Sequence, residues 1–151
     1  QDPACACLTL SASGELAPGE QTVTIRTPHT TLRAGLHPAA GGSGEDACSG
    51  EMLLEALIAC AGVTLQAVAT AMGIALRGGR VRAEGELDFR GTLGVSKEAP
   101  VGFAAIRLTF ELDTDASDEQ LTTLLRLYER HCGLSQSLKQ PPELSWVRLP
   151  G

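Results

Sequence analysis

Residues 51–73, EMLLEALIACAGVTLQAVATAMG, leave this chain little conformational choice. The stretch contains no Pro and, before its last residue, only Gly62, and it is rich in the strong helix formers Ala, Leu and Met. At 1.5 Å rise per residue it predicts one helix of about 34 Å. Leu53, Leu54, Leu57, Ile58, Ala61, Val63, Leu65, Val68 and Met72 occupy almost every angle around its axis, the pattern of a helix covered on all sides. Cys60, near the middle, is therefore expected to be buried or nearly so. A bilayer span of about 20 apolar residues has similar length. However, Glu51, Glu55, Thr64, Gln66 and Thr70 interrupt this one, and no other segment is apolar enough to join it. The expectation is a central helix wrapped by sheet and by a second subunit, with no membrane partner.

A chain of 151 residues is sized for a single domain, 1–151, with one core. Its net charge of −6 argues against nucleic acid, which needs a basic face. With only 3% aromatic residues, base stacking has almost nothing to work with. The five cysteines (Cys5, Cys7, Cys48, Cys60, Cys132) are odd in number and lack secretory spacing. The opening QDPACACLTL has no basic region followed by an apolar run. A cytoplasmic, reducing location follows as the expectation, where retained thiols serve chemistry more often than structure.

Around the long helix the periodicity is that of strands. Runs at Ala6 to Ala12, Thr22 to Thr27 and Thr30 to Leu36 predict an antiparallel meander, with a turn over Ser13 to Gly19. The Gly-rich segment 37–50 leads to the helix, with Ser49 as expected N-cap and Glu51 in the first turn. Val81 to Arg90 alternates apolar and charged residues, and Ala104 to Asp113 does the same. The two predict a long hairpin with one wet face. Ser117 and Gln120 match a capping box that opens a helix to about His131, with Leu121, Leu124, Leu125 and Tyr128 inward and Gly133 as its C-terminal cap. A helical turn around Ser135 to Lys139 and a strand from Glu143 to Leu149 follow. The order β-β-β-α-β-β-α-β does not alternate regularly, so the fold class is α+β.

By spacing alone, Cys60 and Cys132 carry no message, since a buried thiol is usually a small apolar side chain. Several weaker motifs are set aside on their chemistry. Cys5-x-Cys7 with Cys48 and His131 is one potential zinc set, but C-x-C falls outside the usual ligand spacing. Gly42-x-Gly44 lacks the following Gly and Lys of a phosphate loop. His131 diverges by about 100° from Cys132 on a helix, and His29 and His37 lie at loop or strand ends. No metal and no cofactor are expected.

The run Gly50-Glu51-Met52-Leu53-Leu54-Glu55-Ala56-Leu57-Ile58-Ala59-Cys60, preceded by Gly41-Gly42, together with His131-Cys132-Gly133-Leu134-Ser135-Gln136-Ser137-Leu138, resembles the OsmC family of osmotically induced and organic hydroperoxide resistance proteins. The element order matches over nearly the whole chain. Gly133 replaces the Pro usual after the second cysteine, and Gly50 stands where the hydroperoxide resistance branch has a glutamate. The resemblance implies an OsmC-like fold, with antiparallel sheets packed around the long helix in an intertwined homodimer. It also implies a thiol peroxidase for organic hydroperoxides, in which Cys60 attacks, Cys132 resolves, and a dithiol or lipoyl-type reductant reopens the disulfide. Burial and mid-helix placement both work against a thiolate at Cys60. The family supplies a cation there, and the matching candidates are Arg33, ahead of Arg26, with Glu51 as its orienting carboxylate. The competing expectation is a non-enzymatic dimer that keeps the apolar cleft and binds a small apolar ligand.

Overall fold

A turn between Leu16 and Thr22 sets the register of the first sheet. In the computed structural model, which describes residues 6–150, the Ala17 N–H donates to Thr22 O at 3.3 Å and the Glu20 N–H to Ala17 O at 3.1 Å. The residues just before the turn must then lie opposite those just after it. Strand β1 is accordingly Ser13–Leu16 and β2 is Thr22–Arg26, paired antiparallel from Ser13↔Arg26 to Leu16↔Val23. The strand expected over Ala6 to Ala12 does not form, and part of the expected turn is the strand instead. Strand β3, Thr31–Gly35, continues the meander, and the two-residue β4, Ala47–Cys48, adds to it in parallel. Between them the Gly-rich segment is partly built: a 3₁₀ turn at Pro38–Ala40 is capped by the His37 ring and closed by Gly41 at φ 91°.

These strands belong to the first of two compact units, Gln1–Ser49 and Gly50–Gly151. All but the first residue of helix α1, Ser49–Ala71, belongs to the second, and Ser49 is the first helical residue rather than the cap before it. The helix ends where Gly73, at φ 68°, lets its N–H reach Thr70 O and the Ile74 N–H reach Ala69 O, satisfying carbonyls that would otherwise be orphaned. Strand β5, Gly78–Leu87, stops short of the predicted Arg90 because the Asp88 side chain accepts the Arg90 N–H and starts the short helix α2, Phe89–Thr92. Strand β6, Phe103–Asp113, pairs antiparallel with β5. Helix α3, Asp118–His131, opens with the predicted Ser117/Gln120 capping box. Gly133 does not cap it: Cys132 is the residue between α3 and helix α4, Gly133–Ser137. Strand β7, Glu143–Arg148, then pairs parallel with β6. Among the described residues, two sheets and four α-helices give the α+β class expected, although each sheet is mixed rather than purely antiparallel.

The core of the second unit joins Leu57, Ala61, Leu65 and Ala69 of α1, Leu108, Phe110 and Leu112 of β6, and Leu121, Leu124, Leu125 and Tyr128 of α3. The four α1 residues recur every fourth position and form one stripe, as helix geometry dictates. The remaining apolar faces of α1 are not all covered in the single chain, for Val63 is 70% exposed and Leu53 38%. By length and composition α1 is apolar enough to cross a bilayer. Its buried stripe, closed over by β6 and α3, is that of a helix seated in a globular core.

Candidate functional site

Cys60 sits at the edge of the buried stripe of α1, one position before Ala61 and one turn after Leu57, and is half-buried. Thr64, one turn further on, is its neighbour on the same face, with Sγ to Oγ1 at 3.9 Å. Cys132 is fully buried at the break between α3 and α4. Its backbone is extended, φ −77° and ψ 105°, while its N–H still donates to Tyr128 O and its carbonyl accepts the Gln136 N–H. The break therefore ties the last turn of one helix to the first turn of the next.

Across it the two sulfur atoms, 72 positions apart in sequence, come to 3.5 Å. A disulfide needs about 2.05 Å between sulfurs, so the pair is within about 1.5 Å of bonding distance once an oxidant removes two electrons and the two thiol protons are lost. Two buried hydroxyls complete the cluster. Ser135 Oγ donates to Cys132 Sγ at 3.2 Å, and Tyr128 Oη lies 2.9 Å from Ser135 Oγ. A hydroxyl carries one proton, so when Ser135 donates to sulfur it must accept from Tyr128. The three residues occupy i, i+4 and i+7 around the helix break.

This environment acts on the Cys132 thiol in opposing ways. Burial raises its pKa, whereas its polar surroundings, Ser135 first and then Tyr128 and Cys60, lower it, leaving the thiol more acidic than an ordinary cysteine. Burial, together with the sulfur beside it, drives the Tyr128 phenol the other way, well above its usual value.

Beside the cluster runs an open groove of about 590 Å³ between α1 and α3. Ala67, Val68, Ala71 and Leu127 make it apolar, with Thr64 and His131 as polar members. Thr64 both lines the groove and touches Cys60. The groove thus ends next to the more exposed sulfur.

Of the residues singled out from sequence, Cys60 and Cys132 are brought together. Arg33 lies on β3 in the first unit, where Glu20 holds its guanidinium at 2.6 Å and Asp46 at 3.2 Å. Arg26 pairs with Glu15 at 3.5 Å. Glu51 is exposed in the first turn of α1, and His131 is exposed in the last turn of α3. Cys7 is exposed, and Cys5 lies outside the described residues. Among the described residues no group of three or more His, Cys, Asp or Glu is placed to hold a metal. Sequence reasoning took Tyr128 as plain core and passed over Ser135. Their spacing of four before and three after Cys132 is the signal that would have found them, because on helical turns those positions share a face.

A model of the family described as OsmC-like protein matches residues 42–147. No curated protein matches the chain. Among solved structures, an OsmC-like protein from Mycoplasma pneumoniae is similar with a TM-score of 0.78 at 14% identity, over 95% of this chain and 99% of that one. An organic hydroperoxide resistance protein OsmC from Legionella pneumophila gives a TM-score of 0.73 at 16% identity, over 93% and 99%. An organic hydroperoxide resistance protein from Elizabethkingia anophelis gives 0.73 at 13%, over 94% and 99%. At these identities the likeness is one of fold.

Proposed function

Because the chain belongs to the OsmC-like family, we propose that it is a cysteine-based peroxidase that reduces organic hydroperoxides in stress defence, with residues 1–151 working as one domain. The observation that carries this is the 3.5 Å contact between Cys60 and Cys132, two thiols that only the tertiary fold unites. The Cys60 sulfur, half-buried and next to the groove, attacks the terminal peroxide oxygen. A sulfur–oxygen bond forms, the O–O bond breaks, and the alkoxide leaves as an alcohol after gaining a proton. The Cys132 sulfur then attacks the Cys60 sulfenic acid, forming the disulfide and releasing water. A dithiol, of the lipoyl type, returns the pair to its reduced state.

The apolar groove suits a substrate with a hydrocarbon tail better than hydrogen peroxide. Arg33, with Glu51 as its carboxylate, is the proposed cation for the attacking sulfur, and Arg26 is its substitute. The exposed apolar surface of α1, Val63 above all, supports a homodimer, which would cover it.

Consumption of cumene hydroperoxide with dithiothreitol or dihydrolipoamide tests the proposal. Wild type should turn over, Cys60→Ser should not, and peptide mapping after one peroxide equivalent should recover a Cys60–Cys132 disulfide. If wild type and Cys60→Ser are equally inert and no such disulfide forms, the protein is a binding dimer for a small apolar ligand and the peroxidase assignment is lost.

A further inference from the structure

Tyr128, Ser135, Cys132 and Cys60 form one line of hydrogen bonds in which every donor points the same way. Tyr128 Oη, 2.9 Å from Ser135 Oγ, gives it a proton to accept; Ser135 Oγ donates to Cys132 Sγ at 3.2 Å; and Cys132 Sγ donates to Cys60 Sγ at 3.5 Å. The line ends on the sulfur assigned to attack. Tyr128 and Cys132 are fully buried and Ser135 nearly so, which keeps water from competing for these protons. The hydrogen of a cysteine thiol is free to rotate, and S–H is a weak donor, so its aim must be set by its neighbours. With Ser135 directed at the Cys132 sulfur as acceptor, the S–H is turned away from Ser135 and onto Cys60. We propose that the Tyr128–Ser135 hydroxyl pair aims the Cys132 S–H at Cys60, so that Cys132 is the donor that holds the attacking thiolate before it becomes the group that resolves it.

This rests on the peroxidase reading, and it makes Ser135 and Tyr128 positioning residues that act through Cys132. A single negative charge on the sulfur pair belongs on Cys60. Cys132 is fully buried, where an ion is desolvated, whereas Cys60 is half-buried beside the open groove. Bonds in such a chain polarise one another, and the surroundings that make Cys132 more acidic than an ordinary cysteine also make it the stronger donor. The donor adds to the cation proposed for Cys60. The titratable groups facing Cys60 are the Cys132 thiol and, behind it, the Tyr128 phenol of α3, with the His131 imidazole on the groove that Thr64 shares. From β5 and β6 the core receives Val81, Ala83, Leu108 and Phe110, while Arg80 and Arg82 pair with Glu111 on the other face. On attack, the Cys60 thiolate bonds to the terminal oxygen of the hydroperoxide as the O–O bond breaks, and the alkoxide takes a proton from solvent and leaves as the alcohol. The S–S bond then forms as the hydroxyl of the Cys60 sulfenic acid leaves with the Cys132 proton as water. The hydroperoxide gains two electrons and the sulfur pair loses two.

Alkylation by iodoacetamide tests the proposal on the reduced full chain without peroxide, with Cys60 followed by peptide mapping so that the other cysteines do not contribute. The thiolate is the form that reacts. At neutral pH, Cys132→Ala should slow the labelling of Cys60 about tenfold, the loss of one donor to a charged acceptor with S–H at the weak end of the range. Cys132→Ser puts a hydroxyl donor in its place and should stay near the wild-type rate. Ser135→Ala should slow Cys60 about two- to fivefold and Tyr128→Phe, one link further away, about twofold, because each acts through Cys132. These differences should close as pH rises past about 10, where thiols are ionised in every variant, whereas a change in access to the sulfur would persist there. The proposal is overturned if Cys60 is labelled equally fast in Cys132→Ala and Cys132→Ser, if folded Ser135→Ala matches wild type, or if the losses are as large at high pH as at neutral pH. Should Ser135→Ala not fold, Tyr128→Phe decides, since it keeps the ring that packs edge-on against Phe110 at 5.0 Å. The labelling needs no turnover, so a chain that labels as expected but consumes no hydroperoxide loses the peroxidase assignment and keeps the donor line. A chain that consumes hydroperoxide while its labelling is unmoved by these substitutions keeps the assignment and loses the donor line.

Discussion

Gly62 offers a direct test of the frame that carries Cys60. It lies two residues beyond that sulfur, inside α1, where glycine costs about 0.5–1 kcal/mol relative to alanine because it has more backbone freedom to lose. Glycine at such a place is usually kept because a neighbour comes too close for a methyl group. Here a Cβ would meet only Val81 Cγ2 at 3.8 Å, an ordinary van der Waals contact. The helix term has no steric term to oppose it, so Gly62→Ala should stabilise the chain by about 0.5–1 kcal/mol. For a chain of this length that is a rise in melting temperature of about 1–4 °C. The assay is thermal unfolding by circular dichroism under reducing conditions at one fixed concentration, since any association would itself shift the midpoint. A fall in melting temperature would refute the reasoning, because it would mean that the space beside Gly62 is filled in the protein as it exists in solution.

The opposite sign is expected at Gly91, where a Cβ would stand 2.1 Å from the Pro100 carbonyl oxygen; Gly91→Ala should lose about 1–3 kcal/mol in urea unfolding. Leu108 is fully buried in β6, and Leu108→Ala should lower stability by about 2–5 kcal/mol, read as a lower urea midpoint at unchanged slope. The raised Tyr128 pKa makes folding pH-dependent on the alkaline side. Above about pH 10 the unfolded chain releases this proton while the folded chain keeps it, so stability falls as pH rises, and Tyr128→Phe should remove that share of the fall.

How far the sequence could be read depended on the range of the forces involved. The alternation in Val81 to Leu87 and Ile106 to Leu112 and the Ser117/Gln120 box are local patterns, and they formed as read. The first strand was misplaced because a turn, rather than the propensity of residues 6–12, chose which residues face β2. Asp88 ended β5 early through a single side-chain hydrogen bond that alternation does not register. Cys60 and Cys132 were legible as a pair through family likeness alone, since no short-range rule joins positions on separate helices. Ser135 and Tyr128 were in plain view, but their meaning depends on the break at Cys132. A smooth continuation past His131 to a Gly133 cap would have pointed them elsewhere.

The last strand, β7, runs parallel to β6, and a parallel neighbour is reached only by carrying the chain back along the sheet. Residues 114–142, with α3, Cys132 and α4, are that return path. Contacts of this kind form late, after a long stretch of polypeptide has been drawn in. The second sulfur lies on that return path, so its meeting with its mate is a long-range contact that only the tertiary fold supplies, and the two thiols of an unfolded chain are separate. Readiness to oxidise would then mark a molecule that has finished folding.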